Sequence, residues 1–178
     1  MCKSLGALQD NDILMPAPTQ APEGFHLGVI IHDVRAWGLK WSADGSMLAC
    51  GQDGGLRIFS PGRGPMNLPP ALSPDLLSPP AWSAQGRRLA WAGAAGVKIW
   101  DARFGSRPAR SFYDACEITE IAWSPESQTL ALATVGHGIR LWHVNRGESY
   151  AATLDGHIGK INRVAWHPHE RILASGGH

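Results

Sequence analysis

An all-β fold of repeated four-stranded units is the prediction here, and three observations carry it. Gly and Pro supply 21 and 13 of the 178 residues, a density of turn formers that disfavours a helical bundle. Eight Trp stand beside two Tyr and four Phe, so one aromatic position recurs. Four of those tryptophans, Trp41, Trp82, Trp123 and Trp166, are spaced 41, 41 and 43 residues apart. With 44% hydrophobic residues, the chain also has the material for a buried core.

Each Trp ends an apolar stretch that runs into a turn: Trp41-Ser42-Ala43-Asp44-Gly45, Trp82-Ser83-Ala84-Gln85-Gly86, Trp123-Ser124-Pro125-Glu126 and Trp166-His167-Pro168-His169. These stretches are first strands. Second strands follow as Met47 to Cys50, Arg88 to Trp91, Thr129 to Leu132 and Ile172 to Ser175. Third strands appear in three units, at Gly55 to Phe59, Gly96 to Asp101 and Gly138 to His143, where apolar and basic residues alternate as on a strand with one buried face. Gly93-Ala94-Ala95-Gly96 reads as the hairpin turn before one of them. An outer strand is expected to precede each unit, clearest at Phe25 to Ile30 and Ser149 to Leu154. Four short antiparallel strands per 40-odd residues describe the blades of a β-propeller.

With those motifs in place the sequence resembles the WD-repeat propellers. Asp155-Gly156-His157, the Trp-Ser-Pro-Glu turn at 123 to 126, Leu173-Ala174-Ser175-Gly176, Lys98-Ile99-Trp100-Asp101 and Ile139-Arg140-Leu141-Trp142 carry the likeness, which covers roughly residues 25 to 178. The resemblance implies a hydrogen-bonded tetrad of His, Ser or Thr, Asp and Trp in each unit. By position His32 and His157 match the His, Asp53 the turn Asp, Ser175 the hydroxyl, and Trp100 and Trp142 the Trp. No unit holds all four: Cys50, Phe59, Ser73, Trp91, Asp114 and Gly136 stand at other tetrad positions. Such blades are expected to rely on apolar packing, at ~25 cal/mol per Å² buried, more than on polar cross-links.

Residues 1 to 24, with Pro16, Pro18 and Pro22, read as a leader or linker. Blades are expected at about 25–60, 61–102, 109–144 and 149–178. Pro69-Pro70 and Pro79-Pro80 should erode the second, and proline is tolerable there only at a sheet edge. The arginines of the Arg103 to Arg110 loop are expected to be solvated. The fourth unit stops after its second strand, so the expectation is a fragment of a larger protein, an incomplete and open propeller whose edges invite self-association.

Sixteen Lys and Arg against 15 Asp and Glu leave no excess charge for nucleic acid. Cys2, Cys50 and Cys116 form no CxxC pair, which disfavours a disulfide framework or zinc site and fits a reducing, cytoplasmic setting. No apolar run is long enough for a secretory signal or a membrane span, so no membrane partner is expected. Eight His, including the pair His167 and His169, lack the spacing of a metal site, and no nucleophile elbow or phosphate loop is present. The chain is therefore expected to be non-enzymatic, without cofactor or metal.

Surface recognition is what remains. The resemblance implies a partner-binding face at the loops entering the first strands, which by position holds Asp33, Arg35, Glu117, Ile158 and Lys160, with Pro74, Leu76 and Ala115 in weaker units. Mixed charged and apolar groups suit a protein or peptide partner. The competing expectation is a TolB-like or peptidase-associated propeller domain of a hydrolase, whose repeats share the Trp-Ser turn followed by Leu-Ala.

Overall fold

The computed structural model describes residues 36–52, 55–60, 64–67, 78–94, 96–104, 108–112, 116–136, 138–146 and 150–178. The leader, the outer strand expected at Phe25 to Ile30, and the positions Ser73, Pro74, Leu76, Asp114 and Ala115 lie outside them. All described strands belong to one unit, Ala36–His178.

The first blade comprises β1 (Ala36–Trp41), β2 (Leu48–Gln52), β3 (Gly55–Ser60) and β4 (Gly64–Asn67). The second comprises β5 (Ala81–Trp82), β6 (Arg88–Gly93), β7 (Gly96–Asp101) and β8 (Pro108–Phe112). The third comprises β9 (Ile118–Trp123), β10 (Thr129–Thr134), β11 (Ile139–His143) and β12 (Tyr150–Leu154), and the fourth has β13 (Ile161–Trp166) and β14 (Leu173–Gly177). Within each sheet the spatial order is the chain order and every pairing is antiparallel.

The sheets are offset by one strand from the sequence units. The outer strand expected to begin the last unit pairs instead with the strand before it, Ile139 opposite Leu154. Likewise β4 pairs with β3 and β8 with β7. The reason is loop length: only residues 61–63 separate β3 from β4, and a connection that short returns the chain antiparallel beside its predecessor. The described sheets thus run 36–67, 81–112, 118–154 and 161–177, which displaces the blade limits expected from sequence.

Proline erodes the second blade at its inner edge. Strand β5 is two residues long and follows Pro79-Pro80, which lack the N–H that a ladder needs. The register Ala81↔Ala90 places Ala92 opposite Pro79, and the Ala92 N–H is satisfied by the buried Ser78 hydroxyl at 3.1 Å.

Cores lie between blades. Leu89 and Trp91 of β6 pack toward the first blade with Ala49, Leu56 and Ile58, whereas Ala90 and Ala92 pack toward the third with Leu130 and Leu132. In β10 the same alternation sends Ala131 and Ala133 toward Ile161 and Val164 of the fourth. Period-two side-chain alternation therefore feeds two cores from one strand. The third strands were expected to bury one face; β7 buries both, as do the second strands β6 and β10, because the second and third blades each have a neighbour on either side.

Three first-to-second-strand turns are built alike. Ser42, Ser83 and Ser124 are buried, and their hydroxyls accept the N–H of Met47, Arg88 and Thr129 at 2.9, 3.0 and 3.0 Å. The serine backbone N–H donates across the same turn to the Met47, Arg88 and Thr129 carbonyls. His167 holds this place in the fourth blade, and its Nδ1 accepts instead from the N–H groups of His169 and Glu170.

Candidate interaction surface

The chain of contacts between blades starts at the repeated tryptophans. Trp82 Nε1 donates to the Lys40 carbonyl at 2.8 Å, Trp123 Nε1 to the Ala81 carbonyl at 3.0 Å, and Trp166 Nε1 to the Ala122 carbonyl at 3.2 Å. In every case the acceptor is the residue just before the Trp of the preceding blade. The paired ladder explains the fit: Trp82 lies opposite Leu89, Trp123 opposite Leu130 and Trp166 opposite Leu173, all facing the preceding blade. The next residue of each second strand, Ala49, Ala90 or Ala131, faces the following blade and leaves room for its indole.

At the first pair of blades, Gly38 has φ +63°, and a Cβ there would stand 3.0 Å from Pro80 Cδ and 3.2 Å from Pro79 Cα. Glycine is required by both the backbone conformation and the close approach.

Glu117, Ile158 and Lys160 fall at the ends of β9 and β13 where the chain enters them. Glu117 and Lys160 are exposed, and Ile158 is 94% exposed. Their relative placement is fixed directly beneath them. The Thr119 hydroxyl reaches the Ile161 carbonyl at 2.5 Å, and Glu120 Oε2 accepts the Val164 N–H at 2.7 Å. The Val135 N–H donates to the Glu117 carbonyl and the His178 N–H to the Lys160 carbonyl, both at 3.1 Å. The result is an exposed apolar side chain and two opposite charges at strand entries on a tied-down frame. Asp33 and Arg35 lie outside the described residues.

Of the tetrad-like residues, the structure brings together His157 and Ser175, with Nε2 and Oγ 2.8 Å apart. Trp100 and Trp142 are buried in different inter-blade cores, Trp100 edge-on to Trp82 at 6.3 Å and Trp142 against Phe112 at 4.9 Å. His32 and Asp53 lie outside the described residues.

Asp101 has a role the sequence did not expose. Arg88 sits opposite it in the β6–β7 register, and Arg103 folds back from the 3₁₀ turn at Ala102–Phe104. Arg103 Nη2 donates to Asp101 Oδ2 at 2.6 Å and Arg103 Nε to Oδ1 at 3.0 Å, while Arg88 Nε reaches Oδ2 at 3.2 Å. These bonds, those of Arg103 foremost, hold the carboxyl well below the usual carboxylate range. Arg103 is thus engaged in an ion pair while its side chain stays about half exposed, and Arg110 is exposed, as the solvated loop expected of them allows. Cys116, expected as a buried small hydrophobe, is half-buried and accepts from Arg140 Nη2 at 2.8 Å, while Cys50 is fully buried.

At the opposite ends of the strands, a groove of about 620 Å³ lies between the turns of the third and fourth blades, crossed by the Arg171–Glu126 ion pair at 3.0 Å. His169 lines it, but among the described residues no group of three or more His, Cys, Asp or Glu could hold a metal ion.

Residues 27–60 and 148–178 match the family described as WD domain, G-beta repeat. Among curated proteins, Protein tipD of Dictyostelium discoideum is 29% identical over 85 residues, covering 43% of this chain and 14% of that protein. Meiotic fizzy-related protein 2 of Schizosaccharomyces pombe is 29% identical over 112 residues, covering 63% of this chain and 22% of that protein. The chain therefore spans under a quarter of the length of these relatives. Among solved structures, a chain of the mitotic checkpoint complex superposes with TM-score 0.67 at 20% identity, covering 84% of this chain and 46% of that one. The Cps50 (Swd1) beta-propeller domain of Myceliophteria thermophila superposes with TM-score 0.68 at 20% identity, covering 81% and 48%. Strand order, inter-blade cores, repeat matches and superpositions agree that the chain has the WD40-type β-propeller fold, its described blades forming an open, unclosed arrangement.

Proposed function

We propose that the chain is a non-enzymatic protein-interaction scaffold that engages a protein or peptide partner through the face carrying Glu117, Ile158 and Lys160. The observation that carries this reading is Ile158, a large aliphatic side chain 94% exposed at strand entries that also carry the exposed Glu117 and Lys160, above a hydrogen-bonded frame. An apolar centre with a polar rim is the make-up of a protein interface. The reading includes a cytoplasmic setting, which suits a chain whose three cysteines form no CxxC pair. The family match falls on WD repeats and gives no support to the hydrolase-associated alternative.

The test is a peptide display selection on the wild-type chain. The selected peptides are then titrated against Ile158→Asp and against Glu117→Lys combined with Lys160→Glu. Affinity should fall about tenfold or more for Ile158→Asp, as for a central interface residue, with unchanged circular dichroism. Peptides that bind wild type and both variants equally would show that this face is not the site.

A further inference from the structure

The second and third blades are each described with four strands, and a polar pocket of about 250 Å³ opens between their turns. Three arginines of the second blade line it: Arg87 and Arg88 at the β5–β6 turn, and Arg103 in the 3₁₀ turn after β7. The Asp101 carboxylate locks two of them, Arg88 through Nε at 3.2 Å and Arg103 through Nε and Nη2 at 3.0 and 2.6 Å. Arg87 is exposed, and its guanidinium makes no hydrogen bond or ion pair with any described residue. Its backbone is fixed, since the Ala102 N–H donates to the Arg87 carbonyl at 3.0 Å.

The opposite wall is the β9–β10 turn of the third blade. Ser127 stands there with φ +56°, where the first two blades have Gly45 and Gly86 at +68° and +66°. Its hydroxyl accepts the Ala84 N–H at 3.0 Å, which offsets that left-handed backbone and ties one wall of the pocket to the other. Glu126 on the same wall already accepts from Arg171, Nε at 3.1 Å and Nη2 at 3.0 Å. Four guanidiniums therefore stand against the carboxylates of Asp101 and Glu126, so these six groups carry two positive charges in excess.

We propose that this pocket binds a phosphate monoester, its dianion seated on Arg87 together with Arg88 and Arg103. A monoester carries about −1.5 to −2 at neutral pH, which the local excess balances. The planar fork of a guanidinium matches phosphoryl oxygens, and the exposed amides of Gln85 and Gln128 add donors from either wall. Asp101 sets the position of two guanidiniums before a ligand arrives, so less side-chain freedom is lost on binding. The pocket lies at the turn ends of the strands and Glu117, Ile158 and Lys160 at the entries, so it stands or falls independently of the loop face.

Titration of the isotope-labelled full chain with O-phosphoserine, inorganic phosphate and dimethyl phosphate at constant ionic strength, followed by amide and arginine Nε–H resonances, tests it. Both monoester probes should saturate at roughly 1 to 10 mM, with shifts centred on Arg87, Arg88 and Arg103. Dimethyl phosphate, a monoanion, should bind about fivefold more weakly or worse. Arg87→Gln should weaken O-phosphoserine about fivefold or more, with unchanged circular dichroism. Arg163→Gln removes the same charge from an exposed position of the fourth blade and should leave the affinity as in wild type. Tighter binding of O-phosphoserine than of inorganic phosphate assigns the pocket to a phosphorylated side chain, and equal or weaker binding assigns it to the free ion; the phosphoryl chemistry holds in both. Shifts that never saturate, a diester bound as tightly as the monoester, an Arg87→Gln chain of undiminished affinity, or an equal loss in Arg163→Gln would each overturn the proposal.

Discussion

Ser124 shows how much a turn residue can carry in this chain. Its buried hydroxyl accepts the Thr129 N–H, and its own N–H is bonded across the turn, so removing the hydroxyl strands a buried donor. Ser124→Ala should lower stability by about 1–3 kcal/mol, read as a shift in the urea midpoint at unchanged slope. Asp101 makes a second residue-scale prediction, with a definite sign. Its folded-state pKa is depressed, chiefly by the Arg103 hydrogen bonds. The contribution is therefore full above the unfolded carboxylate value of about 4 and is lost as pH falls through the lower folded value. Asp101→Asn should be less stable than wild type from neutral pH down to about pH 4, and the two should converge in strong acid. Urea midpoints across a pH series check this; a gap that widens on acidification would contradict it. Arg103 is half exposed, so solvent screening keeps the effect modest.

Between elements, the repeated Trp and Leu-Ala are one device seen from two sides. Leu130 backs the Trp of its own blade, and Ala131 makes space for the Trp of the next. Ala131→Leu should overpack the third and fourth blades and cost about 1–3 kcal/mol, whereas Leu132→Ala should open a cavity and cost about 2–5 kcal/mol, both by equilibrium unfolding. Most of this layer was legible in the sequence, because the 41-residue period and the alternating strands are local patterns. The third strand Gly96 to Asp101 and its hairpin turn stand where the pattern placed them. What eluded sequence reading depends on which strands lie side by side. Arg88 meets Asp101 only through register, Thr119 meets Ile161 only across a blade boundary, and the outer strands join their predecessors only because the loops are short. His157 and Ser175, both named in the tetrad scheme, lie within hydrogen-bond distance, while the burial of Trp100 and Trp142 in inter-blade cores follows from the covered faces of the second and third blades.

Across the whole molecule, stability is unevenly spread. The fourth sheet has two strands, and its flank beyond Ala165 and Ala174 is exposed, while β6 and β10 are covered on both faces. Amide hydrogen exchange should therefore be fastest in β14, intermediate in β13 and slowest in β6 and β10, measured at peptide resolution by mass spectrometry. Equal protection in β14 and β10 would show that the fourth sheet is held by more than its contact with the third. The loop face carrying Ile158 is seated on this least stable sheet, tied to the third blade by Thr119 and Glu120. Binding there should slow exchange in β13 if the partner spans both blades.

The indole bond from each blade to the one before has a consequence for counting. Every link consumes one donor and one acceptor and leaves a fresh donor behind and a fresh acceptor ahead, so the joining rule is the same at every step. Such a rule fixes orientation and spacing but contains no stopping point. How many blades such a ring holds is then decided by the small rotation accumulated per step until the last indole meets the first open carbonyl. A change of a few degrees repeated at every such junction would alter that number without touching a single link.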